Sequence, residues 1–529
     1  MLILQGVSYI HPDKDLLFKD IHLSLDRQDK AALVGHNGTG KSTLLRIMAG
    51  RLPASGGTVH TDTAPYYVPQ LFDRFDGLSV AQALRVDDKL NALGEILGGH
   101  VTEENLARLA DDWTIEDRCR EAFAHWGLQD LDPYQKIGTL SGGQKTKAFL
   151  AGITVHGPDI VLLDEPSNHL DTDGRKLLYA YIESTAHTLV VVSHDRTLLN
   201  LVHTVHELAP GGITAYGGNY DFYASQKAVE EAALHQDLRN KEKALRKARE
   251  TERETMERQQ KLDARGKKKQ EKAGLPTISM NTFRNNAEKS TARAKDVHAE
   301  KTEALAHELG RLRRDLPAAD KMKVEFDHSA FHKGKTLINA EGINFAYGDR
   351  PLWKHPLDIR IKSGERWAVR GANGSGKTTF IRMVLGELLP QTGTLERAPA
   401  KAIYIDQDYS ALDPALGVYA QAQQFNSGAL QEHEIKTRLN RFLFTRADWD
   451  KPCRALSGGE RMRLLLCCLT IRDKAPDIMV LDEPTNNLDI RSIEILTASV
   501  NAYKGTLLVV SHDAYFLEQV GIGHSVTMA

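Results

Sequence analysis

Long hydrophobic runs are absent from this sequence, which argues against a chain that crosses a membrane by itself. The longest apolar stretches are short, strand-like segments such as TLVVVS and TLLVVS, whereas a membrane helix needs ~20 apolar residues. The first 15 residues, MLILQGVSYIHPDKD, contain no basic region, no sustained apolar core and no small-residue cleavage site. We therefore expect no signal peptide and a cytoplasmic protein.

Cysteine and net charge are also scarce. The formal net charge is −2, so the chain as a whole gives no sign of a nucleic-acid partner, and any such partner must be sought in a segment. The cysteines form no CxxC pair and no Cys/His set with zinc spacing. We expect reduced and mostly buried thiols at Cys119, Cys453, Cys467 and Cys468.

The dominant feature of the sequence is an internal repeat. At 529 residues the chain is long enough for two to four cores of ~100–200 residues. Five landmarks occur twice in one order: GHNGTGKST (35–43) and GANGSGKTT (371–379), YVPQ (67–70) and YIDQ (404–407), LSGGQ (140–144) and LSGGE (456–460), DIVLLDEPSNHLD (159–171) and DIMVLDEPTNNLD (477–489), VVVSHD (190–195) and LVVSHD (508–513). They predict two related α/β domains, at residues 1–223 and 336–529.

Spacings within the copies support this division. From the Glu of DEP to the His of SHD there are 29 residues in each copy, and from the Ser of LSGG to that Glu there are 24 and 26. From the Gln of YVPQ or YIDQ to the same Ser, however, there are 71 residues in the first copy and 50 in the second. The first copy therefore contains an insertion, which we expect to be helical and to lie within about residues 85–125.

Residues 224–335, between the copies, have a different composition. They are rich in Lys, Arg, Glu, Gln and Ala and nearly free of aromatics, so they cannot form a third core. The pattern predicts one exposed helix over about residues 223–262 and a second over about 287–316, with leucines at heptad-like spacing. Gly266, Gly274 and Pro276 interrupt the pattern, so we expect an antiparallel helical hairpin whose tip spans about residues 265–286.

The region of the predicted tip is strongly basic. Residues 258–295 contain 11 Lys and Arg against three acidic residues, a net charge of +8, so the rest of the chain carries −10. Exposed helices are usually balanced in sign, and this separation favours a basic finger that contacts RNA phosphates over a solvated linker without a partner. The RNA-binding residues are then expected to be Arg265, Lys267, Lys268, Lys269, Lys272 and Arg284.

Each copy contains a phosphate-binding loop. The patterns Gly-x4-Gly-Lys-Ser and Gly-x4-Gly-Lys-Thr follow apolar strands, KAALV and RWAVR, and open helices, which is the context that the motif requires. Glycines let successive backbone N–H groups point at the phosphates, and the helix N-terminus adds partial positive charge. The expected nucleotide-binding residues are Gly35, Asn37, Gly38, Gly40, Lys41, Ser42 and Thr43, and Gly371, Asn373, Gly374, Gly376, Lys377, Thr378 and Thr379.

Within these loops we expect Lys41 and Lys377 to hold the β- and γ-phosphates of ATP, and Ser42 and Thr378 to ligate Mg²⁺. Two in-context copies of the motif make a chance match a negligible alternative.

Paired acids follow one apolar strand of each copy. Asp164 and Asp482 end the strands VLLD and MVLD, where a carboxylate can hold Mg²⁺ through water. Glu165 and Glu483 come next and are expected to orient and polarise the attacking water. These four carboxylates predict hydrolysis of the bound nucleotide.

Further polar residues recur at matched places. His194 and His512 close the next strand, and we expect them to hydrogen-bond the γ-phosphate and the lytic water. A lone histidine at a strand end is more often structural, but its matched distance from the glutamate favours the catalytic role. Gln70 and Gln407 are expected to contact Mg²⁺ and the water, although either one alone would be an ordinary polar residue.

The segments LSGGQ and LSGGE are the most specific motifs. With the P-loops and the DEP sequences they resemble the signature of ABC ATPases, and the resemblance covers both cassettes. It implies ATP and Mg²⁺ as ligands and a head-to-tail pairing of the two cassettes around two shared ATP molecules, within a monomer. Ser141, Gly142 and Gly143 would face the ATP held by Lys377, and Ser457, Gly458 and Gly459 the ATP held by Lys41.

The residue that stacks on adenine is less clear from the sequence. Tyr347 fits in the second copy. Alignment of GVSYIH with GINFAY places His11 opposite Tyr347 and Tyr9 opposite Phe345, so either Tyr9 or His11 is a candidate in the first site.

Two fused cassettes joined by a long charged helical linker resemble the ABC-F family of translation factors. The resemblance implies a ribosomal partner, with the linker hairpin near the peptidyl-site tRNA and the insertion of the first cassette near the large subunit and its rRNA. Energy-state regulation, rescue of stalled ribosomes and antibiotic resistance all remain open as the task.

Three alternatives compete with this interpretation. The ATPase subunit of a membrane transporter would have no evident use for a charged hairpin of this length. In DNA-repair and chromosome-organising ATPases the coiled coil interrupts a cassette, whereas each cassette here is complete. The iron–sulfur ribosome-recycling type is excluded because the N-terminal cysteine cluster is missing.

Overall fold

The computed structural model describes residues 1–13, 15–209, 211–273, 299–312, 326, 334–348, 350–428 and 430–528, without the side chains of residues 259, 263 and 266–273. The chain divides into two compact units. One is formed by Met1–Tyr223 and Met322–Ala529 and contains both cassettes, and the other is Ala224–Lys321.

The first cassette is built on a mostly parallel sheet. Its strands in the described residues are β1 (Leu2–Ile10), β2 (Leu16–Leu25), β3 (Lys30–Val34), β4 (Gly56–Thr61), β5 (Tyr66–Val68), β6 (Ile160–Asp164), β7 (Thr188–Val192), β8 (Thr204–Ala209) and β9 (Gly212–Gly217). The main sheet has the order β5-β6-β7-β3-β8-β9, and β2-β1-β4 form a separate antiparallel sheet. Strands β3, β6 and β7 are buried along their whole length, as their continuous apolar sequences predict for a parallel sheet with both faces covered.

The helices of this half are α1 (Lys41–Met48), α2 (Val80–Leu84), α3 (Asp87–Leu97), α4 (Glu103–Leu109), α5 (Ile115–His125), α6 (Gly142–His156), α7 (Thr172–Ser184), α8 (Arg196–Leu199) and α9 (Tyr220–Ala273). Helices α3 and α4 lie within about residues 85–125, where the sequence predicts an insertion in the first copy. Asp112 fastens this stretch, because its carboxylate lies 2.8 Å from Lys89 Nζ and 2.7 Å from Arg118 Nη1.

The second cassette repeats the plan. Its strands are β10 (Thr336–Asn344), β11 (Leu357–Lys362), β12 (Arg366–Arg370), β13 (Thr392–Arg397), β14 (Ala402–Ile405), β15 (Ile478–Asp482), β16 (Thr506–Val510) and β17 (His524–Thr527), with the main sheet in the order β14-β15-β16-β12-β17. Its helices are α11 (Lys377–Leu385), α12 (Val418–Gln424), α13 (Glu432–Arg441), α14 (Gly458–Ile471), α15 (Ile490–Ala502) and α16 (Ala514–Gln519). The fold class predicted from the sequence, tandem α/β cassettes with a long helical connection, is confirmed.

The described residues of the second unit are helical. Helix α9 and the helical residues 299–312 (α10) approach each other where Lys241 Nζ lies 2.7 Å from Glu308 Oε2. Leu238 and Leu309, next to this ion pair in the sequence, are both buried. Lys241 lies in the first half of the linker and Glu308 in the second. An antiparallel pair of helices requires contacts of this kind.

The first linker helix is longer than expected: the pattern predicts an end at about residue 262, before a tip that begins at about 265, but α9 continues through Gly266 to Ala273. A helical glycine costs only ~1 kcal/mol relative to alanine, and the surrounding Lys, Gln, Glu and Ala residues are good helix formers. In the predicted RNA-binding set, Arg265 is exposed, the side chains of Lys267, Lys268, Lys269 and Lys272 lie outside the described side chains, and Arg284 lies outside the described residues.

Candidate active sites between the cassettes

Glycine is required where each phosphate-binding loop enters its helix. Gly40 and Gly376 precede α1 and α11 with φ of 95° and 91°, in the left-handed region that favours glycine. A Cβ at Gly40 would lie 2.6 Å from Leu17 Cδ2, and one at Gly376 would lie 2.4 Å from Leu352 Cδ2. A side chain at either position would therefore require both a strained backbone and a shift of the leucine beside it.

Each loop lysine is held by its own loop. Lys41 Nζ donates to the carbonyls of Gly35 and His36, at 2.7 and 3.1 Å, and Lys377 Nζ donates to the equivalent carbonyls at 2.8 and 2.9 Å. Burial lowers the pKa of both ammonium groups, and the nearby acids oppose that shift. The ammonium group of each lysine thus lies inside the loop, at the place where the motif predicts that phosphates bind.

Hydroxyl and carboxylate oxygens meet at the end of β6. Ser42 Oγ donates to Asp164 Oδ1 at 2.9 Å, and the hydroxyl of Tyr67 donates to Asp164 Oδ2, also at 2.9 Å. Burial raises the pKa of Asp164, against the effect of these hydrogen bonds. In the second cassette the hydroxyl of Tyr404 donates to Asp482 Oδ2 at 2.7 Å.

These oxygens are of the type that Mg²⁺ prefers, so the residues present fit the expected metal. Sequence reasoning missed Tyr67 and Tyr404, although both begin the repeated landmarks YVPQ and YIDQ. That recurrence is the signal that points to them.

The two glutamates have an uncommon backbone conformation. Glu165 and Glu483 have φ of 50° and 48°, and their backbone N–H groups donate to Val192 and Val510 carbonyls at 2.8 Å. Burial raises the pKa of Glu483 to about 7 and moves the pKa of Glu165 in the same direction. A non-glycine residue in this region is strained, and matched strain in two copies marks a functional position.

Each glutamate faces the histidine of the next strand. Nε2 of His194 lies 3.3 Å from Glu165 Oε1, and Nε2 of His512 lies 3.4 Å from Glu483 Oε1. Burial lowers the pKa of His194 to about 3 and that of His512 to about 4, so both rings are neutral near pH 7. In the second cassette, however, His512 Nε2 and Glu483 Oε1 are both buried without a hydrogen-bond partner among the described residues, so the two side chains are neighbours that share no direct hydrogen bond.

The signature segments begin two long helices. Ser141 caps α6 and Ser457 caps α14, and each serine exchanges hydrogen bonds with the residue three positions later, Gln144 or Glu460. This reciprocal pattern is a capping box, which orients the serine and the following glycines at the helix N-terminus. Burial opposes ionisation of Glu460, but hydrogen bonds from Ser457 and Lys451 outweigh it and lower the pKa of this carboxyl.

Residues of both cassettes line one cavity. The cavity is about 410 Å³ and is lined from the first cassette by residues that include Gly38, Lys41, Thr43, Gln70 and Glu165, and from the second by Ser457 and Asn487. The backbone N–H of Asn37 donates to Asp489 Oδ2 at 3.1 Å across the same boundary. Ser457, the residue that the family resemblance pairs with Lys41, therefore lines the same cavity as Lys41.

The other loop also meets the opposite cassette. Asn373 Nδ2 donates to the carbonyl of His169 at 3.3 Å, and a Cβ at Gly143 would lie 2.7 Å from that carbonyl and 3.6 Å from Asn373 Nδ2. Gly143 and His169 of the first cassette are thus packed against Asn373 of the second. Gln407, by contrast, is exposed after β14.

The aromatic candidates occupy different places. His11 lines the cavity of Lys41, with Tyr9 behind it at a ring distance of 5.5 Å and in contact with the core. Tyr347 is exposed, and its hydroxyl lies 3.2 Å from Thr379 Oγ1 at the start of α11. Thr378 is exposed in the same helix turn.

Comparison with known proteins identifies the cassettes. The family model "ABC transporter" matches residues 18–168 and 355–486. Among the described residues, no helix combines the length and apolar character needed to cross a bilayer.

Relatives match almost the whole chain. It is 30% identical to "Probable ATP-binding protein YbiT" of Escherichia coli O157:H7, over 98% of this chain and 94% of that protein. It is also 30% identical to "Ribosome protection protein VmlR" of Bacillus subtilis (strain 168), over 98% and 85%.

A solved structure shares the fold. The chain aligns, with a TM-score of 0.60 and 20% identity, to the archaeal ribosome recycling factor aABCE1 in its complex with the ribosomal stalk protein aP1, covering 97% of this chain and 86% of that one. With two cassettes matched by the family model and relatives aligned from end to end, this chain is an ATPase and a member of the ABC-F family.

Proposed function

We propose that the chain hydrolyses ATP at two composite sites and uses the opening and closing of its cassettes as a translation factor on the ribosome. The observation that carries the first half is the cavity around Lys41, which residues of both cassettes line. A site divided in this way is complete only when the cassettes are together, so nucleotide binding and closure are linked.

In the proposed reaction, the loop lysines and backbone N–H groups bind the phosphates, and the signature serines Ser141 and Ser457 complete the opposite sites. Glu165 and Glu483 orient the attacking water, and His194 and His512 hold the γ-phosphate. The oxygens of Ser42 and Asp164, and of Thr378 and Asp482, would hold Mg²⁺, with Gln70 and Gln407 beside it. When bound, this ion neutralises charge on the transferred phosphoryl group.

At the adenine end we propose His11 for the first site, since it lines the cavity whereas Tyr9 packs on the core. Tyr347 takes the same role in the second site, because its exposed ring stands beside the first turn of α11.

The ribosomal role rests on the relatives and on the basic tip. One relative is a ribosome protection protein and one structural neighbour is a ribosome recycling factor. The net charge of +8 over residues 258–295 suits contact with rRNA and tRNA phosphates, whereas the remainder of the chain is acidic. Which translation task is served depends on what this tip touches.

The test is co-sedimentation with purified ribosomes. Glu165→Gln with Glu483→Gln should hold the cassettes closed on ATP, and this variant should sediment with ribosomes in ATP but not in ADP. Addition of four substitutions to Ala, at Lys267, Lys268, Lys269 and Lys272, should weaken binding and reduce its salt dependence, by ~0.7–0.9 in log–log slope for each phosphate that is no longer neutralised.

A matched control removes the same charge elsewhere on the helix, by substitution of Lys243, Arg246, Lys247 and Arg249, which are exposed. If the control weakens binding as much as the tip variant, the basic-finger proposal fails. If the closed protein ignores ribosomes and instead purifies with membrane permease subunits, the transporter alternative replaces the ribosomal one.

A further inference from the structure

The helix that follows the DEP segment differs in chemistry between the two cassettes. Helix α7 begins at Thr172 and carries Arg175. In the repeat, where Asp171 corresponds to Asp489, the matching positions of α15 are Ile490 and Ile493. A hydroxyl and a guanidinium on one side are therefore replaced by two aliphatic side chains on the other.

Thr172 reaches the histidine of the opposite cassette. Its Oγ1 lies 3.0 Å from Nδ1 of His512, while Nε2 of that ring is 3.4 Å from Glu483 Oε1. The equivalent nitrogen in the other site, Nδ1 of His194, is buried and has no hydrogen-bond partner among the residues that the structure describes. One catalytic imidazole is thus held from across the interface and the other is not.

Arg175 is buried at the same boundary. Its Nε donates to the carbonyl of Leu170 at 3.3 Å, and its Nη1 lies 3.6 Å from Asp195 Oδ2. It lines a small cavity with Thr485 and Asp513 of the second cassette. Beside the larger effect of burial, its positive charge acts to lower the pKa of Glu483, His512 and Asp513. A buried cation needs anionic neighbours, and here they come from both cassettes.

Glu165 has different neighbours. The charges that act on it most are Lys41, Asp164 and Asp195, all in its own cassette. Ile493, at the position that matches Arg175, is buried and lines with Glu165 and His194 a small cavity of about 20 Å³ at the interface. Arg175 reaches the edge of this cavity too, but from the first cassette.

We propose that Thr172 and Arg175 are positioning residues through which the first cassette orders His512 and Glu483, so that hydrolysis at the Lys377 site depends on closure more strongly than hydrolysis at the Lys41 site. The inference rests on the proposed composite sites. Thr172 fixes the orientation of the His512 ring through Nδ1, and Arg175 places a buried cation at the boundary with the second cassette, in the cavity that Asp513 and Thr485 also line. When the cassettes separate, both interactions are broken together, at one site only.

The experiment isolates each site in the full-length protein. In the Glu165→Gln background only the Lys377 site hydrolyses, and in the Glu483→Gln background only the Lys41 site does. The double substitution Thr172→Ile with Arg175→Ile, which copies the residues at 490 and 493, is made in each background. Steady-state phosphate release from ATP then gives kcat and KM.

We expect kcat to fall on the order of 10-fold in the Glu165→Gln background, with KM changed less than about 2-fold, the usual scale for loss of an orienting partner. In the Glu483→Gln background kcat should change less than about 2-fold. Single conservative changes separate chemistry from packing: Thr172→Ser and Arg175→Lys should retain most of the rate, whereas Thr172→Val and Arg175→Met should not.

Equal losses in the two backgrounds would overturn the inference, since they would indicate a general weakening of the interface. No loss in either background would overturn it as well. Failure of the proposed function itself looks different: the Glu165→Gln, Glu483→Gln protein with native Thr172 and Arg175 would then still hydrolyse ATP. Thermal unfolding of each variant, with the parent Tm as reference, identifies any variant that is merely unfolded.

Discussion

Replacement of both buried glutamates by glutamine is the sharpest test of the proposed chemistry. Glutamine has nearly the same volume and can still accept the backbone N–H of His194 or His512, which lies 3.3 or 3.4 Å from the carboxylate. The substitution therefore removes basicity and charge but little packing. Loss of a positioned general base lowers a rate by ~10²–10⁴, or about 3–5 kcal/mol of activation free energy.

We accordingly expect the double variant to hydrolyse ATP at least ~100-fold more slowly than the parent, while its affinity for ATP is retained. Each single variant should keep the activity of its intact site. The assay is phosphate release with excess Mg²⁺ and ATP, beside equilibrium binding of ATP to the same preparations.

Stability is the internal control for this experiment. Burial raises the pKa of both glutamates, so their neutral form is favoured in the folded protein, and a neutral amide at the same place should leave the Tm unchanged or higher. A double variant that folds normally and retains more than one tenth of the parent rate would refute the assignment of these residues.

Three further results are expected. With only the Glu483 site active, kcat/KM should rise with pH through about 7, because burial raises the pKa of the Glu483 carboxyl to about 7 and only its ionised form accepts a proton. A flat profile of kcat/KM between pH 6 and 8 would count against this role of Glu483. Gly376→Ala should lower the Tm and abolish hydrolysis at its site, since φ is 91° and the added Cβ would overlap Leu352; unchanged ATP affinity would contradict the geometry. Asp489→Ala should cost ~1 kcal/mol of stability through loss of the cap on Ser492 N–H, measured by urea unfolding, and should weaken ATP-dependent closure because the hydrogen bond from Asn37 is removed.

The phosphate-binding loops could be predicted because their chemistry is local. Each loop requires a strand, glycines at fixed offsets and a helix start within about ten residues, and all of these are legible in the sequence. The pairing of Lys41 with Ser457 came from the family resemblance instead. No local pattern states which surfaces meet across more than 400 residues.

Neighbours created by strand order were missed for a related reason. Tyr67 and Asp164 are 97 residues apart, and Tyr404 and Asp482 are 78 apart, yet each pair shares a hydrogen bond. They meet because β5 lies beside β6, and β14 beside β15, in parallel register. Periodicity predicts each strand but not which strand lies beside it in the sheet. The repeated tyrosine could therefore be placed on a strand, but its hydrogen bond to the aspartate could not be predicted.

Propensity also failed at Gly266, in the opposite sense. The helix was expected to end at about residue 262, with Gly266 in the tip, but it continues to Ala273. Breaking signals are weighed against their surroundings, and one residue with a cost of ~1 kcal/mol does not interrupt a run of good helix formers.

The strained glutamates show where chemistry overrides backbone preference. Glycine is the residue that φ near 50° favours, and a non-glycine residue in a sparsely populated conformation costs ~1–3 kcal/mol. The turn is nevertheless the same after β6 and after β15, and in each copy it holds the carboxylate opposite the histidine of the neighbouring strand. Glycine would relieve the strain but lacks the carboxylate. The same conformational cost is therefore present in both cassettes, at the position where the proposed reaction needs a carboxylate. The requirement for a glutamate side chain accounts for the strain at Glu165 and at Glu483.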